Sequence, residues 1–460
     1  MREVRPCRED AGREPHNRSR RPRQAPPALA ALCAVLLVVA AVTDLESVAG
    51  PWIPLAAVGA VTGCGWAYRR WRAASYRPVV NRHWEPATVV APAFRESTAT
   101  LERAVASWLD ASAAEVVLVM PADERLTRGR SVGALRDRRL RVVATEEPTK
   151  RNCIAVGVRT ASHPIVVLAD SDTIWERDTL QNLVMPFADR SVGAVGSHHR
   201  VVDAESSLWR RVADWTLDWE FGGTIRATAS VGSIATLKGR TVAYRRSVLR
   251  SVLPELLEET FLGRRCLSGD DGRLTWLLLQ RGYKTMHQAT AVAWTMMPAN
   301  ARGFLMQRLR WGRNSYRCYL RAGARGWLFR QPVITQLTVV QKLIFPVSVT
   351  AGLTFGALSL LDANALGAVA WATWTFSGRG IRVADHVRGR RGRVRDLPAL
   401  AAILVPLTAA IKYYGLFTMA RQDWMTRRRD RIGAEGQPPL PDRLHAPAPL
   451  GEPFKATMEN

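Results

Sequence analysis

Three short polar clusters in this 460-residue chain have the residue types that group-transfer chemistry needs. Asp170-Ser171-Asp172 follows directly on the apolar run Pro164–Ala169. Two carboxylates one residue apart can divide the work: one holds a hydroxyl or base edge of a nucleotide, the other a hard divalent cation that bridges phosphate oxygens. Ser268-Gly269-Asp270-Asp271 leads into a helical pattern over Leu274–Gln280 that stops at Gly282. A carboxylate there can serve as general base for an attacking hydroxyl, and the sequence leaves open whether it is Asp271 or Asp270. In Gln307-Arg308-Leu309-Arg310-Trp311, a helix would put Gln307, Arg310 and Trp311 on one face. An amide, a guanidinium and an indole on one stripe suit a diphosphate and a sugar ring. Each cluster also has a plain structural reading. The Asp pairs are natural helix caps, before Trp175–Pro186 and before Leu274–Gln280. An Arg- and Trp-bearing helix equally suits a membrane interface.

The elements that must position these clusters are short. Thr88–Ala91, Val116–Met120, Arg141–Thr145 and Pro164–Ala169 read as strands, with helical patterns over Ser97–Ala111 and Asn152–Thr160. Such alternation predicts an α/β domain with a mostly parallel sheet, whose ligand site lies at the carboxyl ends of the strands.

Lys and Arg number 65 against 40 Asp and Glu, a net charge of +25. This charge is not uniform: it collects in Met1–Arg23, Arg69–Arg82, Asn300–Arg330, Arg379–Arg395 and Arg421–Gly433. The net positive charge excludes an acidic surface, and the near-neutral remainder argues against a uniformly basic nucleic-acid binder. Beside the basic blocks lie Pro26–Thr43 and Gly50–Tyr68, which carry no charged residue, and at about 1.5 Å per residue each approaches the roughly 30 Å of a bilayer core. Ile334–Leu361, Ala363–Ser377 and Leu397–Ala420 are similarly apolar. Basic blocks mark cytoplasmic loops, so the expected order is a basic arm (1–25), two membrane helices (26–68), a cytoplasmic domain (83–299), amphipathic interfacial helices (300–330), a C-terminal membrane region (331–420) and a cytoplasmic tail (421–460). A second hairpin is expected to turn near Asp362–Asn364, and Pro406 to break the last run. The six cysteines are scattered without C-x-x-C spacing, which argues for reduced thiols rather than zinc or disulfides.

D-S-D at 170–172, G-D-D at 269–271 and Q-x-x-R-W at 307–311, in this order between apolar spans, resemble the processive family 2 glycosyltransferases: hyaluronan, chitin and cellulose synthases and nodulation chitooligosaccharide synthases. Val89–Glu96 resembles the family's opening strand and nucleotide loop, Thr149-Lys150-Arg151 its G-K-R, and Val192–Gly196 the strand after the D-x-D. Trp424-Met425-Thr426-Arg427 is similar to the W-G-T-R of hyaluronan synthases, with Met for Gly. Two departures stand out. Leu237-Lys238-Gly239-Arg240-Thr241 replaces the hyaluronan-type priming segment and looks more like the G-R-T of capsule-type synthases. The second strand also lacks the usual acidic pair, leaving the part of Asp123 open.

The resemblance implies a GT-A-like catalytic domain inserted in a helical transmembrane bundle of the plasma membrane. Its reaction would be inverting transfer from a UDP-sugar donor to a growing polysaccharide acceptor, hyaluronan-like or capsule-like. On that reading Asp172 holds Mg²⁺ or Mn²⁺, Asp170 and Lys150 lie at the nucleotide, and Asp271 or its neighbour Asp270 is the base. Gln307, Arg310 and Trp311 would meet diphosphate and acceptor, and Trp424 and Arg427 would close over the nucleotide. A non-processive transferase with a lipid-linked acceptor, or a transporter or scaffold, are the competing readings.

Overall fold

The computed structural model describes residues 52–125, 137–147, 149–369, 371–373 and 396–421. Strands β1 (Ala87–Pro92), β2 (Glu115–Pro121) and β4 (Ile165–Ala169) are buried along their whole length, as expected of strands covered by helices on both faces. With β3 (Leu140–Thr145) they form one parallel half, in the order β3-β2-β1-β4. Helices α2 (Thr98–Asp110) and α3 (Lys150–Thr160) connect these strands, and Ser97 and Thr149 cap them through their hydroxyls.

The other half departs from the expected mostly parallel arrangement. β5 (Thr173–Trp175), β6 (Val192–Val201), β7 (Thr241–Arg245) and β10 (Lys284–Thr295) continue the order as β7-β6-β10-β5. β6 and β10 are parallel, but β7 runs antiparallel to both β4 and β6, and β5 is antiparallel to β10. The sheet is therefore mixed. The reversal of β7 has a use: its first residue, Thr241, pairs with Ala169, the last residue of β4. Lys238-Gly239-Arg240 thus arrives at the same sheet end as Asp170-Ser171-Asp172, and the Asp170 N–H donates to the Arg240 carbonyl at 2.9 Å.

The helix expected over Trp175–Pro186 is displaced. Trp175 belongs to β5, and α4 covers only Thr179–Val184, with Asp178 at its N-cap position. Asp170 and Asp172 therefore cap no helix. Further along come α5 (Leu208–Trp219), the wide turn Glu220–Ile225, α6 (Arg246–Leu257), the two-residue strands β8 (Thr260–Phe261) and β9 (Arg264–Arg265), and α7 (Asp270–Gln280). A long helix, α8 (Ala301–Ala324), carries the Gln307–Trp311 cluster and is capped by Asn300.

Outside the sheet domain, α1 (Trp52–Ala74) takes in the expected run Gly50–Tyr68 from Trp52 onward and continues through Arg69, Arg70 and Arg72. Among the described residues, one helix, α9 (Val333–Leu361), is long and apolar enough to cross a membrane. It ends in a turn at Asp362–Asn364, where Ala363 takes φ 50°, as the hairpin expectation required. The last helix, α10 (Asp396–Phe417), runs unbroken past Pro406, against the expectation of a break there. It packs on α8 and α9, and such tertiary support offsets the single backbone hydrogen bond a proline removes. The run Pro26–Thr43 and the basic loop Arg379–Arg395 lie outside the described residues.

Trp108 of α2 is fully buried between the helix and the sheet, donates its indole N–H to the Thr173 carbonyl at 3.0 Å and lies 5.9 Å from the Trp175 ring. It therefore fixes the chain just beyond Asp172. Trp108→Ala is expected to cost about 3–5 kcal/mol of stability, read as a lowered midpoint in denaturant unfolding.

Candidate active site

Lys150, the first residue of α3, joins the two acidic clusters. Its Nζ lies 2.9 Å from Asp170 Oδ1 and 3.5 Å from Asp270 Oδ2. Burial alone would pull its pKa down, but Asp170, Asp270 and Asp271 together outweigh burial and raise it, so the ammonium stays charged. Arg151 anchors the same helix to the loop before the second cluster. Its Nη1 donates to the Leu256 carbonyl at 2.7 Å and its Nη2 to the Ser268 carbonyl at 2.9 Å. A Thr-Lys-Arg stretch thus brings together two motifs about a hundred residues apart.

Gly269 takes φ 78° and stands at the N-cap position of α7, with Asp270 and Asp271 in the first turn. The capping reading of G-D-D is therefore correct for position and incomplete for contacts. Asp270 faces Lys150, whereas Asp271 packs against Gly239: a Cβ built at Gly239 would lie 2.8 Å from Asp271 Cβ, so only glycine allows this approach. Burial first, then the neighbouring Asp270 charge, push the Asp271 pKa up, against lowering by Lys150, the Gly272 N–H and Lys238. A carboxylate so placed is a stronger proton acceptor than an ordinary aspartate.

Arg240 lies on the other side of Gly239. Burial lowers its pKa, opposed by Asp172 and Asp170, and Arg310 lowers it further, which places all four charges in one neighbourhood. Its guanidinium stands over the Trp311 ring at 5.6 Å, and Arg308 lies over the same ring at 5.1 Å. Burial pulls Arg308 down to about 10. Gln307 Oε1, Arg308 Nε and Nη2, and Arg310 Nε are buried with no hydrogen-bond partner among the described residues. Buried polar atoms left unpaired cost free energy, and a polyanionic ligand would satisfy the guanidinium groups.

The nucleotide-side loop is tied in by its own residues and by Glu124, which the sequence did not single out. The Glu124 carboxylate accepts from the Arg95 N–H at 2.9 and 3.0 Å, and the Ser171 hydroxyl donates to Glu96 at 3.1 Å. Glu124, rather than the exposed Asp123, closes the loop after β1. Lys238 pairs with Glu220 at 2.7 Å, and Glu220 also accepts from Lys342 of α9 at 3.1 Å. The signal for that contact was a lone lysine in an apolar helix, which needs a partner. Trp209 and Trp215 pack into the hydrophobic core, and Trp209 lies 5.3 Å from Phe304. Trp424 and Arg427 lie outside the described residues.

Among the described residues no group of three or more His, Cys, Asp or Glu forms a metal cage. The donor set nevertheless fits a hard divalent cation: a carboxylate at the strand end plus phosphate oxygens of a bound nucleotide is how Mg²⁺ and Mn²⁺ are commonly held.

A parallel half-sheet with paired carboxylates at its carboxyl end defines a GT-A-like fold. A mannosyltransferase from Pyrobaculum calidifontis, solved with GDP-mannose and Mn²⁺, shares it at a TM-score of 0.52 and 20% identity, over 78% of this chain and 99% of that one. The family described as "Glycosyltransferase like family 2" matches residues 85–314, and the chain belongs to that family. An N-acetylglucosaminyltransferase of Mesorhizobium japonicum is 26% identical over 359 residues, 76% of this chain and 84% of the relative. An NDP-glycosyltransferase of Aspergillus luteorubrus is 26% identical over 408 residues, covering 82% and 98%. The protein is a glycosyltransferase.

Gly239→Ala forces Cβ against Asp271 and is expected to lower glycosyl transfer about 10²-fold, the order a misplaced reacting group costs, while the unfolding midpoint changes little. Comparing turnover with the melting curve of the same preparation checks this.

Proposed function

We propose that the chain is an inverting, processive synthase, embedded in the plasma membrane by several helices, that transfers N-acetylglucosamine from a UDP-sugar to the end of a growing polysaccharide and passes the product across the membrane. Several observations support this. The relatives include N-acetylglucosaminyltransferases. The helix α9 contacts the site through Lys342 and Glu220, joining the catalytic domain to a helix long and apolar enough to cross a membrane. The observation that carries the reading is the junction of Lys150, Asp270, Asp271 and Gly239, where a half-buried base lies beside a nucleotide-type D-S-D. Residues 83–299 form the cytoplasmic catalytic domain, and α8 lies along the interface.

In this mechanism the acceptor hydroxyl gives its proton to Asp271 as its oxygen forms the bond to the anomeric carbon. The bond from that carbon to the diphosphate breaks on the opposite face. Asp270 is held to Lys150 and is thereby less free to take the proton. Charge that develops on the departing diphosphate meets Arg310, Gln307 and Arg240, which are preorganised away from bulk water. Trp311 forms a floor for the terminal sugar. Asp172, with Asp170 beside it, would hold Mg²⁺ or Mn²⁺, which supplies further neutralisation of the leaving group.

Asp271→Asn is expected to lower transfer by about 10²–10⁴-fold, the usual share of a general base, while UDP binding is retained. Isothermal titration beside a radiolabelled transfer assay reads both, and synthesis at the wild-type rate would remove the assignment. The rate should fall on acidification through a pKa above the ordinary aspartate range. Lys150→Met removes a cation that favours ionised Asp271, so the acid limb should move to higher pH. Supplying UDP-sugars singly and in pairs, then sizing the product, tests processivity: only short products would argue for a non-processive enzyme.

A further inference from the structure

Behind α7, on the side away from Gly239, a small polar cavity opens between α7 and α8. Its walls include Arg151, Arg273, Arg317 and Arg321, with Glu259 as the one carboxylate among the lining residues. Glu259 accepts from Arg321, and its oxygens lie 2.6 Å from Arg151 Nη2 and 3.4 Å from Arg273 Nε. Arg317 is spent on neutral oxygens: the Met419 carbonyl at 2.6 Å, the Ser268 hydroxyl at 3.0 Å, and Asn314 Oδ1. Four guanidinium groups therefore share one negative charge.

Donors remain over as well as charge. Arg273 Nη1, Arg151 Nε and the indole Nε1 of Trp276 are buried without a hydrogen-bond partner among the described residues. Trp276 is 1% exposed and Arg151 3% exposed. Burial pulls the pKa of Arg273 and Arg317 down, as expected where positive charge is uncompensated. Burying like charges together is costly unless a counter-charge completes the cluster.

We infer that this cavity is a binding site for a single phosphate group, separate from the diphosphate site on the other face of α7. Guanidinium forks match phosphate oxygens in geometry and charge. The cavity is far smaller than the roughly 300–1,000 Å³ of pockets that bury a drug-sized molecule, so the occupant is the phosphate group and not a whole nucleotide. Trp327, on the wall, stands six residues before α9 begins at Val333, so a lipid headgroup and free phosphate both have access to the same chemistry. Ser268 and Gly269 also line the cavity, immediately before Asp270 and Asp271. A bound phosphate therefore braces the loop that sets the catalytic turn.

The inference does not rest on the polymer reading, and its test reads stability. Full-length enzyme in detergent, with UDP and Mn²⁺ saturating to occupy the diphosphate site, is titrated with inorganic phosphate against chloride at equal ionic strength. A saturable rise in melting temperature of about 2–6 °C is expected, reduced in Trp276→Phe, which removes one donor and keeps an aromatic ring, and lost in Arg273→Met. A parallel series compares nanodiscs of phosphatidylcholine alone with nanodiscs containing phosphatidylglycerol. A response to the anionic lipid alone, with the same variant dependence, assigns the phosphate to a headgroup. Wild-type enzyme that responds to neither source, or responses that both variants retain in full, overturn the site. If Arg273→Met does not fold, Trp276→Phe decides.

Discussion

Everything at the sheet edge depends on one half-buried ammonium. Without Lys150, Asp170, Asp270 and Asp271 would converge in a region of poor hydration, and like charges at such distances repel by several kcal/mol at an effective dielectric of about 20. With it, two loops distant in sequence acquire a common centre, and the carboxylate that does not touch it directly is left with a raised affinity for protons. The neighbouring Arg151 supplies the mechanical half of the same device by gripping the backbone at Leu256 and Ser268. A capped helix start thus combines an electrostatic and a structural role in adjacent residues.

A second charged contact joins the catalytic domain to the apolar helices. Glu220 sits between Lys238, next to Gly239, and Lys342 of α9, and both pairs draw its pKa down against burial. A half-buried ion pair is weak evidence of net stability, but it fixes register well. Sliding α9 by one helical turn would leave Glu220 with half its partners. Arg313 and Arg317 make a similar link from α8 to Thr418 and the Met419 carbonyl.

Much of this was readable beforehand, for identifiable reasons. β1, β2 and β4 are continuous apolar runs bounded by polar turns, so their ends fell within a residue or so of expectation. D-S-D and G-D-D carried their chemistry in local spacing. The antiparallel entry of β7 was not readable, because strand direction depends on the path of the long connection Val202–Arg240, which local periodicity does not fix. Trp175 misled because a large apolar residue suits the first turn of a helix and a short edge strand equally. Glu124, Glu220 and Glu259 were missed for a common reason: each is an ordinary glutamate until tertiary contacts bring a cation or an N–H to it.

The wide turn Glu220–Ile225 separates α5 from the helical residues Arg226–Ala229. Such π geometry accommodates one residue more than a regular helix needs, and that surplus sets the angular phase between the two helical segments it joins. Deleting one residue from the regular helix on either side, where no surplus exists, would swing everything beyond it by about 100°, the rotation per residue of an α-helix. Substitutions at Gly222 and Gly223, where an added Cβ meets nothing within 4 Å, can be absorbed one by one, whereas a change of length cannot. Among homologous chains, Gly222 and Gly223 should drift in sequence while Glu220 and the residue count of the turn are kept.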